Sequence, residues 1–347
     1  MRKRGCVCAG LLAAAMLSAS ANAEVYELPP PGNDVIGAVS SVRARAEETL
    51  LDIARRHGLG YEDIVRANPD IDPWLPGDDT EVLLPTRYVL PSVPRRGIVL
   101  NLAEYRMYYF PEPAAGSSAV VMTWPMSIGR MDWATPLGMT RITAKAKNPS
   151  WYPPESVRAE HLADGDPLPR VVPPGPKNPL GDHAMRLDIP GYLIHGTNRP
   201  AGVGMRVTHG CIRMFPEDIE YLFGQVSIDT PVRIINEPVK IGWDDEEPVL
   251  EVHRTLEIMD PPLATETQEP DAPAAVVAAA EDVAQEIGPP PVKDALTSLT
   301  EQFVAATSSR PGELDWDRAE LALQDANGVP APVGRGIKNA ATSAASH

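Results

Sequence analysis

Hydrophobic positions along the chain fall into three regimes. Between Leu50 and Ala67 they recur at helical spacing. Leu50, Leu51, Ile53 and Ala54 form one apolar face that stops at Arg55-Arg56-His57-Gly58, a basic last turn followed by glycine. Ile64, Val65 and Ala67 form a second face that ends at Asn68-Pro69. Pro76-Gly77 is a turn and Val82-Leu83-Leu84 a short strand, so residues 39–86 read as a small strand-helix-helix-strand unit. A Pro/Gly-rich lead-in, Leu28-Pro29-Pro30-Pro31-Gly32, marks residues 24–38 as an extended linker ahead of it.

From residue 96 to 236 the apolar runs are shorter and β-like. Ile98 to Leu102 and Arg106 to Phe110 predict a strand pair, and Val120-Val121-Met122, Arg141-Ile142-Thr143, Tyr192 to His195 and Val232 to Ile235 add further strands. A Pro/Gly-rich stretch over 153–179 interrupts them, and an ordered loop of that length is usually functional. One helix is expected from Pro216, with Glu217 and Asp218 complementing its dipole and Ile219, Leu222 and Phe223 sharing a face. Residues 237–256 read as an extension. Beyond about Glu257 the third regime begins: Ala, Pro, Glu and Asp dominate, which predicts a largely disordered tail over 257–347 with transient helix at Val276 to Ile287 and Asp317 to Ala326. The chain is therefore expected to be mainly β with few helices.

Composition sharpens this in two places. Arg2-Lys3-Arg4, an apolar run from Val7 to Leu17 and the small-x-small triplet Ala21-Asn22-Ala23 predict a cleaved signal peptide over residues 1–23 and export to the periplasm. The run is short of the roughly 20 residues that a bilayer span needs, so no transmembrane segment is expected after cleavage. Of the 3 cysteines, Cys6 and Cys8 leave with that segment, and Cys211 becomes the lone thiol, which excludes a disulfide within the chain. The net charge is −16, and residues 244–347 hold most of it, with acidic side chains far outnumbering basic ones. No basic stripe exists, so nucleic acid is not an expected partner.

Two segments carry candidate chemistry: Ile194-His195-Gly196-Thr197-Asn198 and Val207-Thr208-His209-Gly210-Cys211-Ile212-Arg213. A nucleophilic thiol needs a base, and histidine has the suitable pKa. It also needs backbone donors for an oxyanion, and Gly210 lets the backbone approach a substrate. The helix from Pro216 would lower the thiol pKa if its N-terminus faced the sulfur. Two other readings of the same residues stay open: a buried, inert cysteine with core histidines, and a metal site of His195, His209 and Cys211, although three ligands without paired spacing make a poor structural zinc set.

Thr208-His209-Gly210-Cys211 with the upstream His195-Gly196 resembles the signature of L,D-transpeptidases, the YkuD-domain enzymes. Asn101 to Phe110 is similar to the family's opening hairpin. Thr135-Pro136-Leu137-Gly138, Asn148 to Pro154 and Gly175 to Gly181 are similar to its Gram-negative branch, as is Arg213 where other members carry Asn. The resemblance spans residues 96–236 and implies a β-sandwich or barrel. It implies Cys211 as nucleophile, His195 as base and later acid, the Gly196 carbonyl as orienter of its ring, and His209 as support for the thiolate. Thr208 belongs to the same motif. Gly210 and Cys211 amides are implied as oxyanion donors, and Arg213 as a ligand for a substrate carboxylate or else one half of a structural ion pair. Arg206 has a weaker claim, and Trp151 and Tyr152 are expected in the core. No cofactor or metal is implied. The implied substrates are peptidoglycan stem peptides. The acyl acceptor would be the amine of a second stem, a lysine of an envelope lipoprotein or outer-membrane protein, or water. Residues 39–86, through Thr49 to Ala54, Ala67-Asn68-Pro69 and Leu83-Leu84-Pro85, resemble a LysM domain, with Glu47-Glu48 where that family carries Gly-Asp. This second resemblance implies glycan binding.

Overall fold

A computed structural model describes residues 24–130, 133–256 and 295–337. The expected signal segment, 1–23, and the Val276 to Ile287 stretch lie outside the described residues. The elements fall into three groups along the chain. The first comprises β1 (Glu24–Glu27), β2 (Val35–Gly37), β3 (Ser40–Arg43), α1 (Leu50–Arg56), α2 (Tyr61–Ala67), β4 (Glu81–Leu84) and β5 (Arg87–Val89). The second comprises β6 (Gly97–Asn101), β7 (Arg106–Phe110), β8 (Val120–Pro125), β9 (Ile128–Gly129), β10 (Gly138–Lys147), α3 (Glu155–Ala163), β11 (His183–Leu187), β12 (Leu193–His195), β13 (Arg206–Thr208), β14 (Ile212–Arg213), α4 (Pro216–Gln225) and β15 (Pro231–Ile235). The third comprises β16 (Val239–Asp244), β17 (Glu247–Val252), α5 (Ala295–Thr307), β18 (Gly312–Leu314), α6 (Trp316–Asp325), β19 (Ala331–Pro332) and β20 (Gly334–Gly336).

Nine strands form one mixed sheet in the order β1-β8-β7-β6-β15-β10-β11-β12-β14, so the expected mainly β fold is what the chain adopts. The β6–β15 and β12–β14 pairs are parallel. The central strands are covered on both faces. Ile98, Leu100, Met107 and Tyr109 join the main core with Ile219 and Leu222 of α4. Val99, Tyr108 and Phe110 point the opposite way and pack with Ile36 and Tyr88. Side chains alternate along a strand, so a strand buried on both faces reads as an unbroken apolar run, as residues 98–100 do.

In the small unit, β3 and β4 pair antiparallel around α1 and α2, which enclose their own core of Leu50, Ile53, Leu59, Ile64, Val82 and Leu84. Thr49 caps α1: its hydroxyl accepts from the Asp52 amide at 3.1 Å, and the Asp52 carboxylate accepts from the Thr49 amide at 3.0 Å. The unit is clamped to the second group. Arg106 is 1 % exposed and binds Asp63 of α2 at 2.7 Å, and Arg55 forms a two-pronged pair with Glu217 of α4 at 2.7 and 2.8 Å. Gly60 meets Gly204 so closely that a Cβ on Gly204 would lie 2.4 Å from the Tyr61 nitrogen.

The ends of the chain differ from expectation. Residues 24–38 are not a free linker: β1 adds to the sheet edge beside β8, with Val25 opposite Met122, and β2 pairs with β5. Leu28 to Asp34, between them, stay outside the pairing, and the three prolines among them cannot donate to a ladder. The segment over 153–179 contains α3. Residues 295–337 fold onto the β16–β17 hairpin rather than forming a disordered tail. Leu299 and Ala319 are fully buried there with Val239, Leu250 and Val333, and the Trp243 indole donates to the Ala306 carbonyl at 2.9 Å. Composition hid the stripe Ala295, Leu299, Phe303, Ala306 on α5, whose spacing is helical. The expected helix at Asp317 to Ala326 coincides with α6.

A buried ionic cluster joins this third group to the sheet. Lys240 Nζ donates to Glu104 at 2.7 Å and to the Val89 carbonyl at 2.8 Å, and it pairs with Glu251 at 2.9 Å. His253 contacts Glu251 at 2.6 Å. Removing one partner strands a buried charge. Lys240→Met is therefore expected to lower unfolding free energy by about 3–5 kcal/mol, read as a urea midpoint shift at neutral pH. An unchanged midpoint would show that the cluster contributes no net stability.

Candidate active site

The β12–β14 ladder sets the site. It pairs Ile194 with Ile212 and His195 with Arg213 in parallel register. Ile194 and Ile212 are 0 % and 1 % exposed and enter the main core. Alternation then turns His195, Arg213 and the preceding Cys211 to the opposite face. Two motifs separated along the chain thus share one strand edge. The Met214 amide donates to the His195 carbonyl at 2.9 Å and leads directly into α4.

His195 is buried, with Nδ1 2.6 Å from the Gly196 carbonyl. A carbonyl can only accept, so Nδ1 carries the hydrogen and Nε2 keeps its lone pair. Burial, helped by the Arg213 charge, pushes the imidazole pKa down to about 3, so the ring is neutral. Cys211 is half-buried and unpaired, with Sγ 3.5 Å from the Gly191 carbonyl. Burial pushes its thiol up to about 11, outweighing the opposing effects of the Leu193 backbone and Arg213. A lowering by the helix after Pro216 depended on its N-terminus facing the sulfur, and burial is the larger influence here: the resting pair is neutral thiol and neutral imidazole.

The loop before Cys211 is held by hydroxyls. Thr208 Oγ1 donates to the Cys211 carbonyl at 2.6 Å, and Thr135 Oγ1 donates to the Gly210 carbonyl at 2.8 Å. Gly210 has φ +92°, and a Cβ there would lie 2.8 Å from the Tyr192 ring. Glycine is needed at this position for both conformation and space. With these carbonyls fixed, the Gly210 and Cys211 amides have no backbone acceptor among the described residues.

His209 points elsewhere. Its Nε2 lies 2.9 Å from Glu160 of α3, and its ring meets Trp133 edge-on at 5.1 Å. His195, His209 and Cys211 are thus not gathered around one point. Among the described residues, the three potential ligands that do converge, Glu104, Glu251 and His253, sit in the buried cluster that Lys240 already occupies. Arg213 is half-buried, its Nε has no partner, and no carboxylate faces it among the described residues, which leaves the ion-pair alternative without a partner. Arg206 donates to the Gly129 carbonyl at 3.1 Å, a structural bond. Trp151 is half-buried and bridges Val172, whereas Tyr152 is 61 % exposed and not in the core. Sequence reasoning missed Glu160, Arg130, Trp133 and Tyr192. Thr135 lay inside a recognised motif, but no local pattern marks Glu160.

A neutral thiol high on the pH scale has a direct consequence. Cys211 is the target expected to be alkylated by iodoacetamide, at a rate that rises about tenfold per pH unit from 7 to 9, because only thiolate reacts. A plateau reached below pH 8 would show a pre-formed ion pair instead.

Residues 95–234 match the YkuD family, described as the L,D-transpeptidase catalytic domain. The chain is 40% identical over 250 residues to "Probable L,D-transpeptidase YcfS" of Escherichia coli K12, covering 70% of this chain and 77% of that protein. It is 38% identical over 241 residues to "Probable L,D-transpeptidase YbiS" of the same strain, covering 68% and 77%. Similarity to that strain's "Probable L,D-transpeptidase ErfK/SrfK", 34% over 320 residues, covers 91% of this chain and 93% of that protein, well beyond the catalytic segment.

Proposed function

The chain belongs to the L,D-transpeptidase family, and we propose that it is a periplasmic cysteine acyltransferase that remodels peptidoglycan, with Cys211 as nucleophile. The observation that carries this reading is the β12–β14 ladder, which brings the half-buried Cys211 to the same edge as a neutral His195 whose Nε2 is unspent. Cys211 Sγ attacks the carbonyl between the L-centre of the third stem residue and the terminal D-Ala of a tetrapeptide. The S–C bond forms as the thiol proton passes to His195 Nε2. The Gly210 and Cys211 amides receive the oxyanion. His195 then gives its proton to the leaving amine, the C–N bond breaks, and D-Ala departs from a thioester. An amine acceptor attacks the thioester in turn: the new N–C bond forms as His195 takes the amine's proton, the C–S bond breaks, and His195 passes that proton to the departing Cys211 sulfur. A stem side-chain amine gives a 3→3 cross-link, and a protein lysine gives an anchored envelope protein.

Burial raises the thiol and lowers the imidazole, so the resting pair is neutral and the proton moves only as the S–C bond forms. Arg213, a desolvated cation beside the sulfur, suits a carboxylate on the stem peptide. The 39–86 unit serves as a glycan tether, consistent with its βααβ build. Residues 1–23 serve as the export signal.

Incubation with a carbapenem, followed by peptide mass spectrometry, tests the nucleophile: an adduct on Cys211 is expected, absent in Cys211→Ala. No adduct together with no D-Ala release from muropeptides would sink the reading. His195→Ala is expected to lower the acylation rate by about 10²–10⁴-fold. Arg213→Ala should raise KM for a stem tetrapeptide by about 10- to 100-fold with a smaller change in kcat. An unchanged KM would remove Arg213 from substrate binding.

A further inference from the structure

The 153–179 segment is fastened at two separate places. At its base Asn178 is fully buried, and its side-chain amide donates to the carbonyls of Pro149, Val172 and Pro173 at 2.8, 3.3 and 3.2 Å. Trp151 and Val172 bridge across the same base. At its far side α3 presents Glu160, which reaches to the loop carrying Cys211. One oxygen lies 2.9 Å from His209 Nε2 and the other 2.8 Å from the Arg130 guanidinium. These two hydrogen bonds hold the Glu160 carboxyl below the usual carboxylate range, so it stays charged. Arg130 is itself tied to the same loop, its amide donating to the Thr208 carbonyl at 2.9 Å. Trp133, three residues on, supplies the ring that the His209 imidazole abuts.

We propose that Glu160 is a positioning residue for the acyl transfer: its carboxylate holds His209 by Nε2 and thereby holds the His209-Gly210-Cys211 backbone in its productive conformation. The proposal rests on Cys211 being the nucleophile. A carboxylate only accepts, so Nε2 carries the hydrogen, and one tautomer and one ring orientation are selected. The ring is then fixed on two sides, by Glu160 and by Trp133. Its backbone, one residue before Gly210, cannot rotate without breaking one of those contacts. Gly210 has no Cβ to limit its own torsions, and its φ of +92° makes the adjoining residues responsible for keeping the amides aimed. The Thr208 and Thr135 hydroxyls fix two carbonyls of this loop, and Glu160 fixes the remaining side chain. The same contact ties α3 to the loop that carries Cys211.

The test uses Glu160→Ala, Glu160→Gln and His209→Gln in the purified protein. The first readout is the saturation kinetics of carbapenem acylation. Glu160→Ala is expected to slow the acylation step about 10- to 100-fold, the scale of a small misplacement of a reacting group. The concentration at half-saturation should change little. Glu160→Gln, which keeps an acceptor for His209 Nε2, should recover most of the rate. Adding Glu160→Ala to His209→Gln should cost nothing more, because both act through one contact. The second readout does not depend on acylation: nitrogen-15 imidazole spectra should show His209 as a single Nε2–H tautomer in the parent protein and a mixture in Glu160→Ala. Failure of the parent to acylate at Cys211 would overturn the nucleophile assignment, and the proposal with it. An unchanged His209 spectrum in Glu160→Ala, or full acylation rates in that variant, would overturn the Glu160 role alone.

Discussion

The parallel pairing of β12 with β14 is short, and its register is enforced by burial. Ile194 and Ile212 lie side by side in the main core, against Ile219 and Leu222 of α4. Slipping either strand by one residue would put His195 or Arg213 into that core and an isoleucine at the surface, which burial energetics forbid. Everything at the site follows from this pair. It brings the two motifs together, turns His195, Cys211 and Arg213 to one face, and leaves the intervening residues to form the loop on which the small unit docks through Gly60 and Gly204. Residues far from the thiol therefore act on it: Glu217, three residues into the chain after Met214, binds Arg55 of α1 and ties the start of α4 to the small unit.

The electrostatics of the site are those of a neutral resting state. Desolvation acts on both partners and favours the uncharged form of each, so the thiol rises and the imidazole falls. In the proposed mechanism, charge separation is deferred until a carbonyl is present to accept the electron pair and amides are present to receive the oxyanion. Arg213 contributes in two ways. It lowers the imidazole pKa, and it remains a half-buried cation with no carboxylate partner among the described residues. Elsewhere the chain resolves the same problem differently: Lys240 sits between two buried carboxylates, and Arg106 is matched by Asp63.

Much of this was legible in the residue pattern. The central strands announced themselves because both of their faces are buried, and α4 because proline, acids and an apolar face coincide within one turn of each other. His195 and Cys211 were legible through their glycine-bearing motifs. The ends of the chain were not. A strand as short as β1 gains its stability from pairing with β8, a non-local contact that leaves little trace in four residues. The acidic composition around α5 and α6 masked apolar stripes that only bury once the β16–β17 hairpin is in place. Glu160 was invisible for the same reason: one of two glutamates in a Pro/Gly-rich stretch, it acquires meaning only when α3 brings it to His209.

The central claim is that acyl transfer passes through a thioester on Cys211. It is tested most directly by incubating the protein with a stem tetrapeptide in the absence of an amine acceptor, quenching in acid and mapping the bound mass by peptide mass spectrometry. The account predicts a tripeptide acyl group on the fragment containing Cys211, formed in step with release of one D-Ala. Release of D-Ala with the acyl group on another residue would contradict it.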